Sequence, residues 1–175
     1  MNFKGKTALI TGAAVGIGRA VAIKMAQNDA KLVLADLNFK KLEALKAELA
    51  AYTNDVLICK CDISHESDVR LMTESAYATF GSIDILVNNA AVWRQCSPFQ
   101  NIELSEWQRY FDINIIGTVS VTKSVIGKML ENKYGRIFKL TAAGKSNKPQ
   151  SRNYQFHFYL ISEIRFYKQH HLCFH

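Results

Sequence analysis

The run TGAAVGIG, residues 11–18, holds three glycines between a short apolar stretch and a helix-like segment. In that setting a glycine-rich turn can cradle phosphate. Gly12 makes the tight turn, Gly16 lets backbone approach a pyrophosphate, and Gly18 allows close packing of helix on strand. The helix that begins here, at Ile17 and its neighbours, offers free N–H groups to an anion. Asp36 closes the next apolar run, KLVLAD, 18 residues after Gly18. A carboxylate there can accept hydrogen bonds from ribose hydroxyls and would repel a 2′-phosphate. Neither position 37 nor position 38 is Arg or Lys, so NAD is expected over NADP as cofactor.

These groups need elements to hold them, and the patterning supplies an alternating set. TALI (7–10), KLVLAD (31–36), VLICKCD (56–62), IDILVNN (83–89) and GRIFKLT (135–141) read as strands. Helix-like sequence separates them. One segment runs from the glycine turn to about Asn28. A second is capped by Asn38, with Leu42, Leu45 and Leu49 on one face. In a third, Ser64 is the expected cap, Val69, Met72, Ala76 and Phe80 form the apolar stripe, and Gly81 ends the helix. A long helix is expected over about 105–131. Mostly apolar strands each followed by a helix imply a parallel sheet covered on both faces. With right-handed crossovers the expected fold is α/β, a Rossmann-like doubly wound sheet that is incomplete at its C-terminal side.

The totals agree with one globular domain: 175 residues, 49% hydrophobic and 21% charged. No apolar run approaches the length of about 18 residues that a membrane helix needs. The first residues, MNFKGKTALITGAA, hold only the run ALI, too short for a signal-peptide core. Cys59 and Cys61 stand two apart on one strand and cannot easily bond to each other. With Cys96 and Cys173 they read as reduced thiols, so a cytoplasmic protein is expected. The net charge of +7 is uneven: residues 1–144 carry 17 basic and 14 acidic groups, whereas residues 145–175 carry five and one. The body is nearly balanced and has no basic stripe, which argues against nucleic acid as partner.

The spacing TGxxxGxG, taken with NNA at 88–90, resembles the short-chain dehydrogenase/reductase family of classical type over about residues 5–145. The resemblance implies a dinucleotide-binding domain over 1–150 and hydride transfer between a nicotinamide and a small-molecule alcohol or ketone. It places Asp62 near the adenine ring, gives Asn88, Asn89 and Ala90 roles in supporting the cofactor and the central sheet, and makes Asn114 of DINIIG the catalytic asparagine. Position 91 is Ala where the family usually has Gly. In that family a tyrosine is the acid/base, a serine orients the substrate oxygen, and a lysine four residues past the tyrosine lowers its pKa. Such a cation is needed because a free tyrosine titrates near pH 10. Tyr154 matches the tyrosine, and Thr141, thirteen residues earlier, falls in the serine's place. Counting along the strand from Gly135 puts Ala142 there instead. Family members are commonly oligomers, so self-association through the 105–131 helix is expected.

The tail breaks the pattern. Phe158 stands where the family has its lysine, and Lys168 lies fourteen residues past Tyr154, too far along a helix to replace it. Residues 153–175 contain seven aromatics and four of the five histidines. Residues 151–175 therefore read as an aberrant aromatic and basic tail, joined to an enzyme body near 145–153 by a frameshift, aberrant splicing or a premature end. HHLCFH (170–175) invites a metal, but on a helix Cys173 would point away from His171 and His175, and no metal is expected. Two other functions remain open on these residues: a cofactor-binding remnant without turnover, and an interaction protein that docks a partner through the tail.

Overall fold

The computed structural model describes residues 2–92, 99–144 and 156–165. Five parallel strands form its centre: β1 (Thr7–Thr11), β2 (Lys31–Asp36), β3 (Val56–Lys60), β4 (Ile85–Asn88) and β5 (Arg136–Gly144). Helices α1 (Gly16–Ala26), α2 (Phe39–Leu49), α3 (Glu66–Phe80), α4 (Leu104–Phe111) and α5 (Thr118–Glu131) lie between them in the chain. The sheet order is β3-β2-β1-β4-β5, extended by β6 (Phe156–Arg165), which runs antiparallel to β5. Successive strands are added outward from β1 on one side and then, from β4, on the other, and a doubly wound fold binds ligands in the crevice at such a switch point.

Side-chain alternation along the strands splits the core into two layers. Ala8, Ile10, Leu32 and Leu34 pack with Met25, Leu42, Leu45 and Leu49 beneath α1 and α2. Leu9, Val33, Leu86 and Ile137 pack on the other face with Val69, Met72, Val121 and Val125 of α3 and α5. Cys59 and Cys61 both join this second layer, as their spacing requires. Burial pushes the Cys61 thiol up to about 12, with the Asp68, Cys59 and Asp62 charges adding to the effect. Among the described residues no helix is long and apolar enough to cross a membrane.

Asn38 caps α2 as expected, its side chain accepting from the Lys41 N–H at 3.1 Å. Gly81 ends α3 at φ 77°. Ser64, however, does not cap α3. The Asp62 carboxylate accepts from both the Ser64 amide and hydroxyl, at 3.0 and 2.6 Å, and the helix starts after His65. The long helix expected over 105–131 is interrupted by a π-helical turn at Asp112–Gly117. A Cβ on Gly117 would stand 2.8 Å from the Ile63 side chain, so only glycine lets this turn press against the loop after β3. Part of the tail joins the sheet: residues 156–165 form β6 and not a helix, so the helical spacing assumed for Tyr154 and Phe158 does not apply within them. Tyr154 itself, Lys168 and the 170–175 cluster lie outside the described residues.

Candidate functional site

The carboxyl ends of β1, β2 and β4 enclose a cleft of about 350 Å³ lined by Gly12, Ile17, Asp36, Asp62, Ala90 and Val92 among others. Gly12 sits at φ 64°, and a Cβ on it would meet the Ala90 Cα at 2.8 Å. A Cβ on Gly18 would run into the Gly12 carbonyl oxygen and reach the Asn89 Nδ2 at 2.5 Å. These two glycines are fixed by protein packing. Gly16 differs. It takes φ 58°, yet a Cβ there would find nothing within 4 Å. Helix α1 begins at Gly16 with no side-chain cap and no acidic residue in its first turn. The first turn thus has neither a capping side chain nor an acid to offset the positive end of the macrodipole, which suits an anion.

A hydrogen-bond lock that the sequence reading missed joins this cradle to the end of β4. The Asn89 side-chain amide donates to the Thr11 and Gly12 carbonyls at 3.0 and 2.9 Å. In return the Thr11 hydroxyl accepts from the Asn89 and Ala90 N–H groups, each at 3.1 Å. Thr11 offered a signal of its own, being a polar residue at the end of an apolar run.

Asp36 is pinned by backbone. One carboxylate oxygen accepts from the Ala14 N–H at 3.0 Å and the other from the Asn38 N–H at 2.9 Å. Each oxygen keeps lone pairs for further donors, such as ribose hydroxyls. Asp62 stands across the cleft. Burial works against its charge, but the bonds from Ser64, with the charges of His65 and Arg109, hold its carboxyl below the usual range.

Asn114 lies on the π-helical turn and grips the cleft wall. Its Oδ1 accepts from the Val92 N–H at 2.9 Å and its Nδ2 donates to the Val92 carbonyl at 3.1 Å. Asn88 sits deeper. Its amide donates to the Thr122 hydroxyl at 3.0 Å, while its Oδ1 is buried without a hydrogen-bond partner among the described residues. Beside it on β5, in register, is Lys139, whose ammonium donates to the Thr118 hydroxyl at 2.8 Å. Burial lowers the Lys139 pKa. Thr141 and Ala142 are both on β5, and the β6 register sets Tyr159 opposite Thr141 and Phe158 opposite Ala142. The structure thus gathers Gly12, Ile17, Asp36, Asp62 and Ala90 around one cleft, with Gly16 exposed at the start of α1 and Gly18 buried behind the Gly12 turn, and ties Asn114 to its wall.

The short chain dehydrogenase family model matches residues 6–155. A 3beta-hydroxysteroid dehydrogenase 2 of Eggerthella lenta is 34% identical over 139 residues, which cover 79% of this chain and 54% of that protein. Among solved structures, an NAD+-bound xylitol dehydrogenase superposes with a TM-score of 0.76 at 32% identity, over 79% of this chain and 54% of that one. A metagenomic short-chain oxidoreductase in complex with NADP gives a TM-score of 0.77 at 28% identity, over 85% and 67%. The chain spans about half the length of the curated relatives it matches.

Proposed function

The chain belongs to the short-chain dehydrogenase family, and on that premise we propose that it binds NAD in the cleft and transfers hydride between the nicotinamide and a small alcohol or ketone. The observation that carries this reading is the start of α1: Gly16 is a left-handed glycine with free space on its open side and no side-chain cap, two residues after Ala14, whose N–H the Asp36 carboxylate holds. When bound, the cofactor supplies or takes the hydride. Gly12, Gly16, Ile17 and Gly18 hold its pyrophosphate, Asp36 takes the ribose hydroxyls, and Asp62 flanks the adenine. Asn88 and Ala90 keep the end of β4 in place. Asn114 fixes the cleft wall at Val92, Thr141 (or the Ala142 position) stands by the substrate oxygen, and Tyr154 moves the proton.

Preference for NAD follows from charge. A 2′-phosphate would sit against Asp36, which has no neighbouring cation at 37 or 38 to offset it. Fluorescence titration tests this: NADH should bind at least about tenfold more tightly than NADPH, a gap of about 1.4 kcal/mol. Tighter NADPH binding would refute the assignment of Asp36. Self-association is supported by an exposed apolar stripe of Phe111, Ile115 and Val119 on the α4–α5 segment. One observation favours a second reading, binding without turnover. Phe158 occupies a strand position opposite Ala142, so the lysine of the family's tyrosine-lysine pair has no counterpart there. NADH binding with no oxidation in the presence of a broad ketone panel would select that reading.

A further inference from the structure

We propose that Lys139 is the cation of this site, a positioning residue that acts through Thr118 on Asn114 and the cleft wall. The proposal rests on reading the chain as a nicotinamide-dependent oxidoreductase. Its starting point is a conflict within β5. Ile137 packs into the α3–α5 layer, while Phe138 and Leu140 pack, partly buried, on the opposite face. Lys139 is two residues on and shares that face, in register with the buried Asn88. An ammonium is costly at such a position unless it is hydrogen-bonded and has a use for its charge.

The partners form a line that ends at the cleft. The Lys139 ammonium donates to the Thr118 hydroxyl at 2.8 Å, and that hydroxyl donates to the Asn114 carbonyl at 2.9 Å. The Asn114 side chain then holds Val92 through both its amide groups, and Val92 lines the cleft. The π-helical turn is what presents the Asn114 carbonyl and side chain together at this end of the sheet, and π turns recur at functional sites. The Asn88 Oδ1, 2% exposed as a residue and without a hydrogen-bond partner among the described residues, adds an acceptor beside the lysine in register. Burial disfavours the charged amine, so its retention depends on the Thr118 hydroxyl that accepts from it.

A bound dihydronicotinamide would supply the hydride that reduces the ketone's carbonyl carbon and would itself be oxidised. The carbonyl oxygen takes one proton, which solvent replaces through the hydroxyl groups of the site. Lys139 makes and breaks no covalent bond. Its charge polarises the Thr118 hydroxyl, which holds the Asn114 carbonyl while the Asn114 side chain holds the Val92 wall of the cleft. A lysine serving only to fasten α5 to the sheet would affect folding and leave the chemical step alone.

The test uses the full chain, NADH titration by fluorescence, and NADH oxidation with a panel of small ketones. Lys139→Met keeps the stem and removes the charge. It should lower kcat about 100-fold while the NADH Kd and the ketone KM change less than about twofold. Lys139→Arg should recover at least about a tenth of the wild-type kcat, because it restores charge. Should Lys139→Met fail to fold, Thr118→Val breaks the line with the lysine in place and should lower kcat about tenfold at unchanged NADH affinity. Wild-type kcat in Lys139→Met, or in Thr118→Val, would overturn the proposal. A wild-type chain that binds NADH and reduces no ketone would also overturn it, leaving the cofactor site standing. A chain that does not bind NADH at all would overturn the underlying reading, and the two failures are thereby told apart.

Discussion

Replacing Gly16 or Gly18 by alanine adds the same single methyl group, and the structure requires the two to fail in different ways. At Gly18 the new Cβ collides with the Gly12 carbonyl and stands 2.5 Å from the Asn89 Nδ2. The glycine turn must move, and the Asn89 bonds to the Thr11 and Gly12 carbonyls go with it. Overpacking of this kind costs about 1–3 kcal/mol, and each weakened hydrogen bond about 1 kcal/mol more. For a chain of this size, about 3 kcal/mol corresponds to a fall in Tm of roughly 6–12 °C. At Gly16 the methyl meets no atom, and the cost is the φ of 58° alone, about 1–2 kcal/mol. Its larger effect should be on ligand, because the methyl fills the space where the pyrophosphate would approach. We expect Gly18→Ala to melt roughly 6–12 °C lower without cofactor, and Gly16→Ala to melt within about 2–8 °C of wild type while binding NADH at least tenfold more weakly. Thermal melts with and without saturating NADH, followed by NADH titration, separate the two. Undiminished NADH affinity in a folded Gly16→Ala chain would refute the placement of the pyrophosphate at the start of α1.

Three further outcomes are expected. Asp36→Ser should narrow the gap between NADH and NADPH by about tenfold in competitive titration, since it removes the charge that repels a 2′-phosphate. Asn114→Ala removes both bonds to the Val92 backbone. It should destabilise the fold by about 1–3 kcal/mol in urea denaturation, whereas Asn114→Asp, which can no longer donate to the Val92 carbonyl, should do no better. Cys61, held at a pKa of about 12, should be alkylated at pH 8 roughly a thousandfold more slowly than an ordinary thiol, as read from peptide mass spectra of the native protein. The same raised pKa has a sign for stability. Below pH 9 the folded and unfolded states both hold the proton. Above it only the unfolded state loses it, so stability should fall by up to about 1.4 kcal/mol per pH unit until about pH 12.

The parts of the site that sequence made legible are those governed by local rules. Glycines at 12, 16 and 18 and an acid at 36 announce themselves because a turn and a strand end need those residue types whatever surrounds them. Asn38 was readable as a cap for the same reason. Ser64 misled because a residue two positions earlier competes for its groups: Asp62 takes both its amide and its hydroxyl, while Asp68 reaches back to the Asp62 N–H. The π-helical turn was hidden because the periodicity of 105–131 runs through it, and only the close approach of Gly117 to Ile63, a tertiary contact, explains it. β6 was lost to an expectation of helix carried over from the tyrosine-lysine spacing, although FHFYL is rich in residues that favour strands. Lys139 drew no notice, since its partner Thr118 lies 21 residues away and nothing local marks it.

The turn at Asp112–Gly117 also sets how this segment can vary. A helix with one widened turn holds one residue more than the same length of regular helix needs. Gly117, pressed on Ile63, and Asn114, bonded to Val92, are held to their residue types; substitutions at the other four positions would be absorbed by the surrounding side chains. Deleting a single residue would instead give an unbroken α-helix, favoured by propensity, and would rotate α4 by about 100° relative to α5. Asn114 would swing off Val92, and Phe111 would leave the line it shares with Ile115 and Val119. The segment should therefore tolerate changes of residue type far better than changes of length. Its six positions act as a spacer whose count keeps Asn114 on Val92 and α5 against the sheet.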